Sequence, residues 1–365
     1  MSAPAAARAR RHAFSALTVA AVERLTDDSA AVTLDVPADL TDAYAYEAGQ
    51  HLTVRVPQLG DDVRRNYSIC NPAGAAQLRI GVKRLPEGAF SGYVLDRLRP
   101  GDSLDVMPPS GRFTVPLDPG NAKHYCAIAA GSGISPVLSI LWTVLETEPA
   151  SRCTLIYGNR SSASIMFLED LEDLKNRFPG RLQLVHVLSR ERQDAALLNG
   201  RIDAGSLPGL LDTFAPPDDV DEWLLCGPAE MIETARAVLH VRGVAPATVH
   251  RELFHTGPEA PRPRRAEVAA DARAAEVTVV LDGRSFVVRV PPDGDPILDA
   301  VLRVRADAPY ACKNGMCGTC RAKVVEGSVE MDHNYALEDS EQAAGFVLAC
   351  QSHPTSPTVT LDFDA

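Results

Sequence analysis

The chain has 365 residues, of which 45% are hydrophobic and 23% are charged, a composition that excludes a disordered or fibrous protein. Its length predicts two or three domains. Its 48 acidic residues outnumber its 36 basic residues, which argues against a nucleic-acid or anionic-membrane partner and favours a basic protein surface.

No targeting or membrane segment is predicted. Residues 125–145 carry no charge and are long enough to cross a membrane, but Gly131, Gly133 and Pro136 interrupt them. We therefore expect a buried strand, a glycine loop and the start of a helix. The eight cysteines do not resemble a disulfide framework, so a cytoplasmic protein is predicted.

Residues 12–113 predict an antiparallel β-barrel. Short alternating segments at 31–36, 51–56 and 78–82 are separated by turns rich in Gly, Pro and Asp.

Residues 114–255 predict an α/β domain with a parallel sheet, because strands and helices alternate there. Pro228 is expected at the first position of the last helix, where its missing N–H costs nothing. The segments are expected at 125–129 (strand), from 135 (helix), 154–157 (strand), 167–178 (helix), 182–188 (strand), 223–226 (strand) and from 228 (helix).

The C-terminal third is predicted to contain a linker and a third domain. Residues 256–275 are rich in Pro and then in Ala, without apolar periodicity, which indicates a linker. Residues 276–365 open with a hairpin signal around Asp282-Gly283. This last segment holds 14 acidic and 7 basic residues, so it is a candidate docking face for a partner, although general solubility explains the charge nearly as well.

Four cysteines in this last segment have the spacing of iron–sulfur ligands. Cys312, Cys317, Cys320 and Cys350 match the plant-type ferredoxin pattern C-x4-C-x2-C…C. Gly315 would let the loop fold around the iron and aim N–H groups at sulfur. A zinc site is the alternative, but zinc sites usually show paired C-x2-C knuckles. The sequence therefore predicts a [2Fe–2S] cluster, which moves one electron at a time.

Two further groups of motifs occur in a fixed order before the cysteines. Arg65-Asn66-Tyr67-Ser68 lies on a barrel strand, and Gly88-Ala89-Phe90-Ser91 follows it. Gly131-Ser132-Gly133-Ile134-Ser135-Pro136 then follows a strand and opens a helix, where N–H groups can hold a phosphate. Tyr157-Gly158-Asn159-Arg160 and Cys226-Gly227-Pro228 complete the series.

In this order the motifs resemble those of the ferredoxin-NADP reductase superfamily, with a plant-type ferredoxin domain of α+β β-grasp fold added at the C-terminus. The resemblance implies that FAD is bound by the barrel and a nicotinamide coenzyme by the α/β domain. It implies FAD contacts from Arg65, Tyr67, Ser68, Val82, Lys83, Ser91 and Phe254. It implies coenzyme contacts from Gly131, Ser132, Gly133, Ser135, Arg160, Ser189, Arg190, Gly227 and Pro228.

The resemblance also implies roles at the reacting centre. Ser68 would lie near flavin N5, Cys226 beside the nicotinamide, and Glu252 close to the flavin. Because Arg160 and Arg190 with Ser189 suit a 2′-phosphate, NADPH is predicted over NADH, unless both arginines are merely solvated.

Within the superfamily, the whole-chain pattern looks like the reductase subunits of phenylacetyl-CoA epoxidases, which serve a separate di-iron, multi-subunit oxygenase. Hydride transfer from NAD(P)H to FAD, then single-electron steps to the cluster and an oxygenase component, is implied. Reductases of Rieske, steroid or alkane oxygenases share the layout and remain alternatives. A non-enzymatic iron–sulfur redox sensor is a further alternative of a different class.

Overall fold

The computed structural model describes residues 13–60, 63–254, 274–291 and 294–365. The described strands form three principal sheets, which follow one another along the chain in the predicted order. Most of the predicted linker at 256–275 lies outside the described residues, and the strand after it begins at Ala275.

The first sheet is an antiparallel barrel, as predicted. Its strands are ordered β4-β3-β6-β1-β2-β5, and an antiparallel bridge between Ile69 and Ile80 connects the chain after β4 to β5. Alternating residues such as Leu17 and Leu52 are fully buried inside it. The elements are β1 (Ser15–Thr26), β2 (Ser29–Asp35), β3 (His51–Arg55), β4 (Arg64–Ser68), β5 (Gln77–Lys83), α1 (Ala89–Asp96) and β6 (Ser103–Val106).

The second sheet is parallel, with strand order β11-β10-β7-β8-β9. The chain proceeds from β7 to one side and later to the other, so the strand order switches between β7 and β10, where ligands bind in such sheets. The elements are β7 (His124–Ala130), α2 (Ile134–Thr147), β8 (Arg152–Asn159), α3 (Leu168–Arg177), β9 (Leu182–Leu188), α4 (Leu207–Phe214), β10 (Glu222–Gly227), α5 (Ala229–Val241) and β11 (Val249–Leu253).

One detail of this sheet corrects the prediction. Pro228 is not the first residue of the last helix but precedes it, with φ −58° and ψ 140°. The extended ψ is typical of a residue flanking the helix N-terminus, because the chain must first leave β10, which ends at Gly227.

The third sheet is mixed, with order β13-β12-β18-β14-β16, and a two-stranded sheet pairs β15 with β17. The predicted hairpin turn is present, with positive φ at Asp282 and Gly283. Helix α6 buries Ile297 and Val301 in the core of this domain, in keeping with the predicted α+β fold. The elements are β12 (Ala275–Leu281), β13 (Arg284–Val290), α6 (Ile297–Val304), β14 (Arg321–Glu326), β15 (Val329–Met331), α7 (Asp339–Ala343), β16 (Phe346–Leu348), β17 (Ser352–Pro354) and β18 (Thr358–Asp362).

Among the described residues, no helix has the length and apolar character needed to cross a membrane.

Candidate functional site

The four spaced cysteines converge at one end of the third domain. Cys312, Cys317 and Cys320 lie on the loop between α6 and β14, and Cys350 lies between β16 and β17. Cys320 and Cys350 are buried, whereas Cys312 and Cys317 are half-buried. The loop therefore presents one end of the cysteine set toward the surface and the other toward the core.

Positive φ angles bend this loop tightly. They occur at Lys313 (55°), Gly315 (75°) and Gly318 (66°), a region that glycine enters at little cost. A Cβ on Gly315 would lie 3.0 Å from the backbone oxygen of His333. Gly315, which is predicted to let the loop close, is therefore needed for two reasons: its φ is positive, and a Cβ would be too close to the backbone of His333.

The four thiols are hydrogen-bonded in two pairs. Cys312 hydrogen-bonds Cys317, and Cys320 hydrogen-bonds Cys350. The partner thiol lowers the pKa of Cys312 to about 6, and in the second pair it lowers the pKa of Cys350. In the described part of the chain, no three His, Cys, Asp or Glu side chains are placed to hold one metal ion. Two thiol pairs suit the two irons of a binuclear cluster better than a single zinc ion, which takes three or four ligands together.

Hydrogen-bond donors surround the sulfur atoms. The backbone N–H of Asn314 donates to Cys312 Sγ at 3.3 Å, and the Gln351 side-chain amide donates to Cys350 Sγ at 3.5 Å. Such donors stabilise thiolate charge and tune the reduction potential of a bound cluster. The loop is therefore chemically suited to a [2Fe–2S] group.

Strand β4 carries the motif assigned to flavin binding. Arg65 is exposed and donates from Nη1 to the backbone oxygen of Arg64 at 2.8 Å. The Tyr67 ring packs against Phe90 with a centroid distance of 5.3 Å, and burial raises the pKa of Tyr67. An exposed cation and an aromatic ring thus lie two residues apart on one face of the strand.

Strand β5, at the other end of the sheet order, holds two more of the predicted contacts. The Val82 side chain is fully buried in the barrel, so only its backbone is available to a ligand. Lys83 lies 3.6 Å from Asp28, and burial lowers the pKa of Lys83.

The Ser91 hydroxyl is already engaged in the loop before α1. It accepts a hydrogen bond from the Leu85 N–H and donates one to the Gly88 oxygen, each at 3.1 Å. A Cβ on Gly88 would lie 2.5 Å from this hydroxyl oxygen. Ser91 therefore fixes the loop, and its contact with a pyrophosphate stays a prediction.

The glycine loop after β7 lies at the switch point of the parallel sheet. Gly131 has φ 55° and its oxygen accepts a hydrogen bond from the Tyr157 hydroxyl at 2.8 Å. A Cβ on Gly133 would lie 2.2 Å from the backbone oxygen of Cys226. Ser132, between the two glycines, is half-buried. The glycines thus permit close contact between this loop and the end of β10.

Two buried polar atoms near this loop lack a hydrogen-bond partner. They are Ser135 Oγ, at the start of α2, and Asn159 Nδ2, at the end of β8. Gly81 makes room for the first, since a Cβ there would lie 2.7 Å from Ser135 Oγ. Buried polar atoms are rarely left unsatisfied without a ligand or water, so their position fits a bound nucleotide.

The three side chains predicted at the reacting centre meet where the barrel joins the parallel sheet. Ser68 Oγ donates to Glu252 Oε2 at 2.9 Å, and Cys226 lies directly beside Glu252 in the register of β10 and β11. Burial, and then Glu252, raise the pKa of Cys226. Cys226 therefore remains a neutral thiol.

The side chains predicted to select the coenzyme follow β8 and β9. Arg160 is about half exposed and pairs with Asp28 at 2.7 Å, while Ser189 and Arg190 are exposed. The Arg190 N–H donates to the Arg160 oxygen at 2.7 Å. The loops are thus adjacent, and which coenzyme phosphate the two guanidinium groups bind stays a prediction.

The remaining predicted contacts lie at the carboxyl ends of β10 and β11. Phe254 is half-buried against the core between the barrel and the parallel sheet. A Cβ on Gly227 would lie 2.7 Å from Met231 Cε and 3.2 Å from Ala130, so glycine is needed here for packing as well.

The cysteine loop faces both other domains across a cavity of about 1320 Å³. Arg112 of the barrel segment forms an ion pair with Glu341, and Arg251 Nε lies 3.7 Å from Glu338 Oε1. Residues lining the cavity include His51, Glu252, Met316, Cys317, Thr319 and Tyr335. Glu252, which is predicted to lie close to the flavin, and the cysteine loop therefore line one interdomain cavity.

Comparisons with known proteins agree with this arrangement. Sequence models of the oxidoreductase FAD-binding domain, the oxidoreductase NAD-binding domain and the 2Fe-2S iron-sulfur cluster binding domain match residues 16–115, 127–237 and 279–355. The chain is 44% identical to one subunit of the 1,2-phenylacetyl-CoA epoxidase of Escherichia coli K12, over 96% of this chain and 98% of that one. It belongs to the family of flavin and [2Fe–2S] reductases of oxygenases.

Another sequence relative and two solved structures also match nearly the whole chain. The ferredoxin reductase component of 3-ketosteroid-9-alpha-monooxygenase from Rhodococcus rhodochrous is 34% identical over 95% of this chain and 96% of that one. An intact type IV self-sufficient cytochrome P450 monooxygenase superimposes with a TM-score of 0.65 at 25% identity, covering 95% of this chain and 41% of that chain. Phthalate dioxygenase reductase, at 24% identity and a TM-score of 0.55, shares the fold over 96% of this chain and 98% of its own.

Two residues of this oxygenase reductase were given no role by sequence reasoning but lie at the site. His51 Nδ1 lies 3.6 Å from Glu252 Oε1, and Asn66 connects His51 to the cysteine loop. Asn66 lies inside the predicted flavin motif, which is the only sequence signal for it. His51 has none, because it belongs to none of the motifs that the sequence contains.

Proposed function

We propose that the chain draws electrons from NADPH and delivers them to the di-iron oxygenase component of a multi-subunit phenylacetyl-CoA epoxidase. The observation that carries this choice is the identity of 44% with the E. coli epoxidase subunit, against 34% with the ketosteroid monooxygenase component. Both comparisons span at least 95% of both chains. A cytoplasmic location stays a prediction from cysteine usage.

In this proposal the barrel residues hold FAD. Arg65 and Ser91, with the backbone at Val82 and Lys83, contact the pyrophosphate, and the rings of Tyr67 and Phe254 pack on the flavin. When bound, FAD accepts two electrons together from the coenzyme and releases them one at a time, and the [2Fe–2S] group carries the single electrons onward. The protein holds the two groups in position and excludes water from the reacting centre.

Ser68, Glu252 and Cys226 act at the reacting centre. Ser68 donates to the Glu252 carboxylate at 2.9 Å, so a proton held on Ser68 Oγ has a ready acceptor. Cys226 is fully buried and its pKa is raised by that burial. It therefore orients the nicotinamide by packing and does not act as a nucleophile.

A direct test uses purified components. The reductase, loaded with FAD and cluster, is mixed with NADPH and either the oxygenase subunits of a phenylacetyl-CoA epoxidase or a ketosteroid oxygenase component. We expect product coupled to NADPH oxidation with the first and not with the second. The reverse preference would make a steroid oxygenase the partner, and cluster reduction without delivery to either would leave a Rieske or alkane oxygenase as the partner. Failure of NADPH to reduce the protein at all would favour the redox-sensor alternative.

Rising salt in the same assay tests whether the acidic third domain docks the oxygenase. A steep loss of delivery, with cluster reduction by NADPH unchanged, is expected from electrostatic steering. Cluster reduction must be measured as well, because salt also weakens the ion pairs within the chain. Glu338 and Glu341 contact Arg251 and Arg112, so a change in these contacts could alter electron transfer to the cluster itself. A flat salt profile would leave the acidic surface a role in solubility alone.

The coenzyme choice predicts an asymmetric effect of Arg190→Ala. Loss of a charge-assisted hydrogen bond to the 2′-phosphate should lower kcat/KM for NADPH by about tenfold or more and leave that for NADH unchanged. Steady-state kinetics with both coenzymes measures this. Arg192→Ala is the matched control, since Arg192 is exposed on the same loop. Equal or better use of NADH by the unaltered protein would contradict the proposal.

A further inference from the structure

Strand β4 contacts different surroundings with its two faces. Successive side chains of a strand point to opposite sides, so Arg65 and Tyr67 share one face while Arg64, Asn66 and Ser68 share the other. The second face contacts the third domain through Arg64 and Asn66. One strand of five residues thus serves the proposed flavin site and the cysteine loop together.

Arg64 anchors the third domain to this face. Its side chain donates to the backbone oxygens of Ala306 and Ala308 at 2.8 and 3.1 Å. Its guanidinium carbon lies 3.9 Å from the centroid of the Tyr310 ring. Only 3% of Arg64 is exposed, so these contacts fix the segment that leads into Cys312.

Asn66 lies between the barrel and the cysteine loop. The Thr53 hydroxyl donates to Asn66 Oδ1 at 2.8 Å. Asn66 Nδ2 reaches His51 Nε2 at 2.9 Å and Thr319 Oγ1 at 3.0 Å. Both hydrogens of the amide therefore have an acceptor, one in the barrel and one on the cysteine loop.

The barrel end of this chain of contacts reaches the acid predicted at the reacting centre. His51 Nδ1 lies 3.6 Å from Glu252 Oε1. Thr319 Oγ1 accepts from Asn66, and Thr319 lies two residues after Cys317 on the same loop, so its own hydrogen can be directed to the Cys317 sulfur. A polar chain of side chains thus connects the flavin-side acid to a cluster ligand.

We propose that Asn66 is a positioning residue that couples the two redox sites through Thr319. Its amide holds the Thr319 hydroxyl so that the O–H donates to Cys317 sulfur and keeps the cysteine loop against β4. A hydrogen bond to sulfur favours the reduced, more negative cluster, and consecutive hydrogen bonds strengthen one another. The step concerned moves one electron from reduced flavin to one ferric ion of the cluster, which becomes ferrous.

The proposal rests on the proposed electron order from flavin to cluster. The test compares Asn66→Leu, Thr319→Val, Thr319→Ser and the double variant Asn66→Leu/Thr319→Val in the full-length protein with FAD and iron bound. Ser110→Ala is the matched control. Ser110 Oγ lies 3.3 Å from His51 Nε2, so this variant removes a hydroxyl next to His51 and leaves the contact between Asn66 and Thr319 in place. The readouts are the cluster midpoint potential, from an EPR-monitored titration, and the ratio of cluster reduction to ferricyanide reduction by NADPH.

Asn66→Leu and Thr319→Val should each make the cluster harder to reduce and lower the rate ratio by about tenfold, as loss of a hydrogen bond to a charged group implies. Thr319→Ser and Ser110→Ala should keep both values. The double variant should match Thr319→Val alone, because Asn66 acts through that hydroxyl.

Unchanged potential and rate ratio in Asn66→Leu, or additive shifts in the double variant, would overturn the coupling. Should Asn66→Leu lose iron, Asn66→Asp takes its place, since it has the same size and no amide donor. Failure of NADPH to reduce the cluster in the unaltered protein would instead remove the proposed electron order, whatever the Asn66 variants do.

Discussion

Cys317→Ala is expected to abolish iron binding while the flavin absorption survives. Cys317 belongs to one of the two thiol pairs, so its loss leaves one iron with a single protein ligand and a [2Fe–2S] group cannot be held. Most of the predicted flavin contacts lie on the barrel, and none lies in the third domain, whose core is separate from that of the barrel. Iron analysis and the visible spectrum of the purified variant measure both effects.

Cys153→Ala provides the matched control for this experiment. Its thiol is buried in the parallel-sheet domain and burial raises its pKa, so it takes no part in the cysteine loop. This control should retain the iron of the unaltered protein, at some cost in stability from the small cavity. Two irons per chain in Cys317→Ala would disprove the ligand assignment.

The cysteine spacing and the alternation of strands and helices were readable from sequence because both are local patterns. A loop that wraps two irons needs its thiols at fixed intervals, and Gly315 follows from the backbone angle that such a loop imposes. The parallel sheet likewise follows from the repeated order of strand and helix. FAD binding by the barrel was predicted from the family resemblance, because the tetrapeptide Arg65-Asn66-Tyr67-Ser68 is not specific enough by itself.

The interdomain contacts were not readable because they join distant parts of the chain. Asn66 and Thr319 are 253 positions apart, and neither position has a periodicity that predicts the other. Their meeting depends on how Arg64 docks the third domain, which is a property of tertiary packing. The short helix α6 could not be predicted for a different reason. Its apolar residues lie on one face, but eight residues are too few to distinguish a helix from a buried strand.

Pro228 illustrates the limit of local rules at element boundaries. Proline is tolerated both before a helix and at its first position, so the residue type alone cannot place the start. The extended ψ of 140° at Pro228 is set by the preceding strand β10, which must end before the chain turns. Local propensity placed the helix, and the tertiary path set its first residue.

Cutting the chain near Pro261 is expected to leave a folded, yellow flavoprotein that oxidises NADPH with ferricyanide but delivers no electrons to the oxygenase. Ser68 and Glu252 both lie within residues 1–260, and their hydrogen bond does not involve the third domain. The interactions that this truncation removes from β4 are mostly polar. Once exposed, Arg64 exchanges the oxygens of Ala306 and Ala308 for water, which costs little for a group that water solvates well.

The competing expectation is that the third domain is needed to retain FAD, because Arg64 is almost fully buried at the interface. Purifying residues 1–260 and measuring flavin content, ferricyanide reduction and delivery to the oxygenase separates the two. Full-length Cys317→Ala is the matched control, since it should lose delivery while keeping the domain in place. A colourless fragment would show that the docked domain retains the flavin. A yellow fragment that still drives the oxygenase at the full-length rate would place the cluster outside the electron path, because the flavin would then be reducing the partner directly.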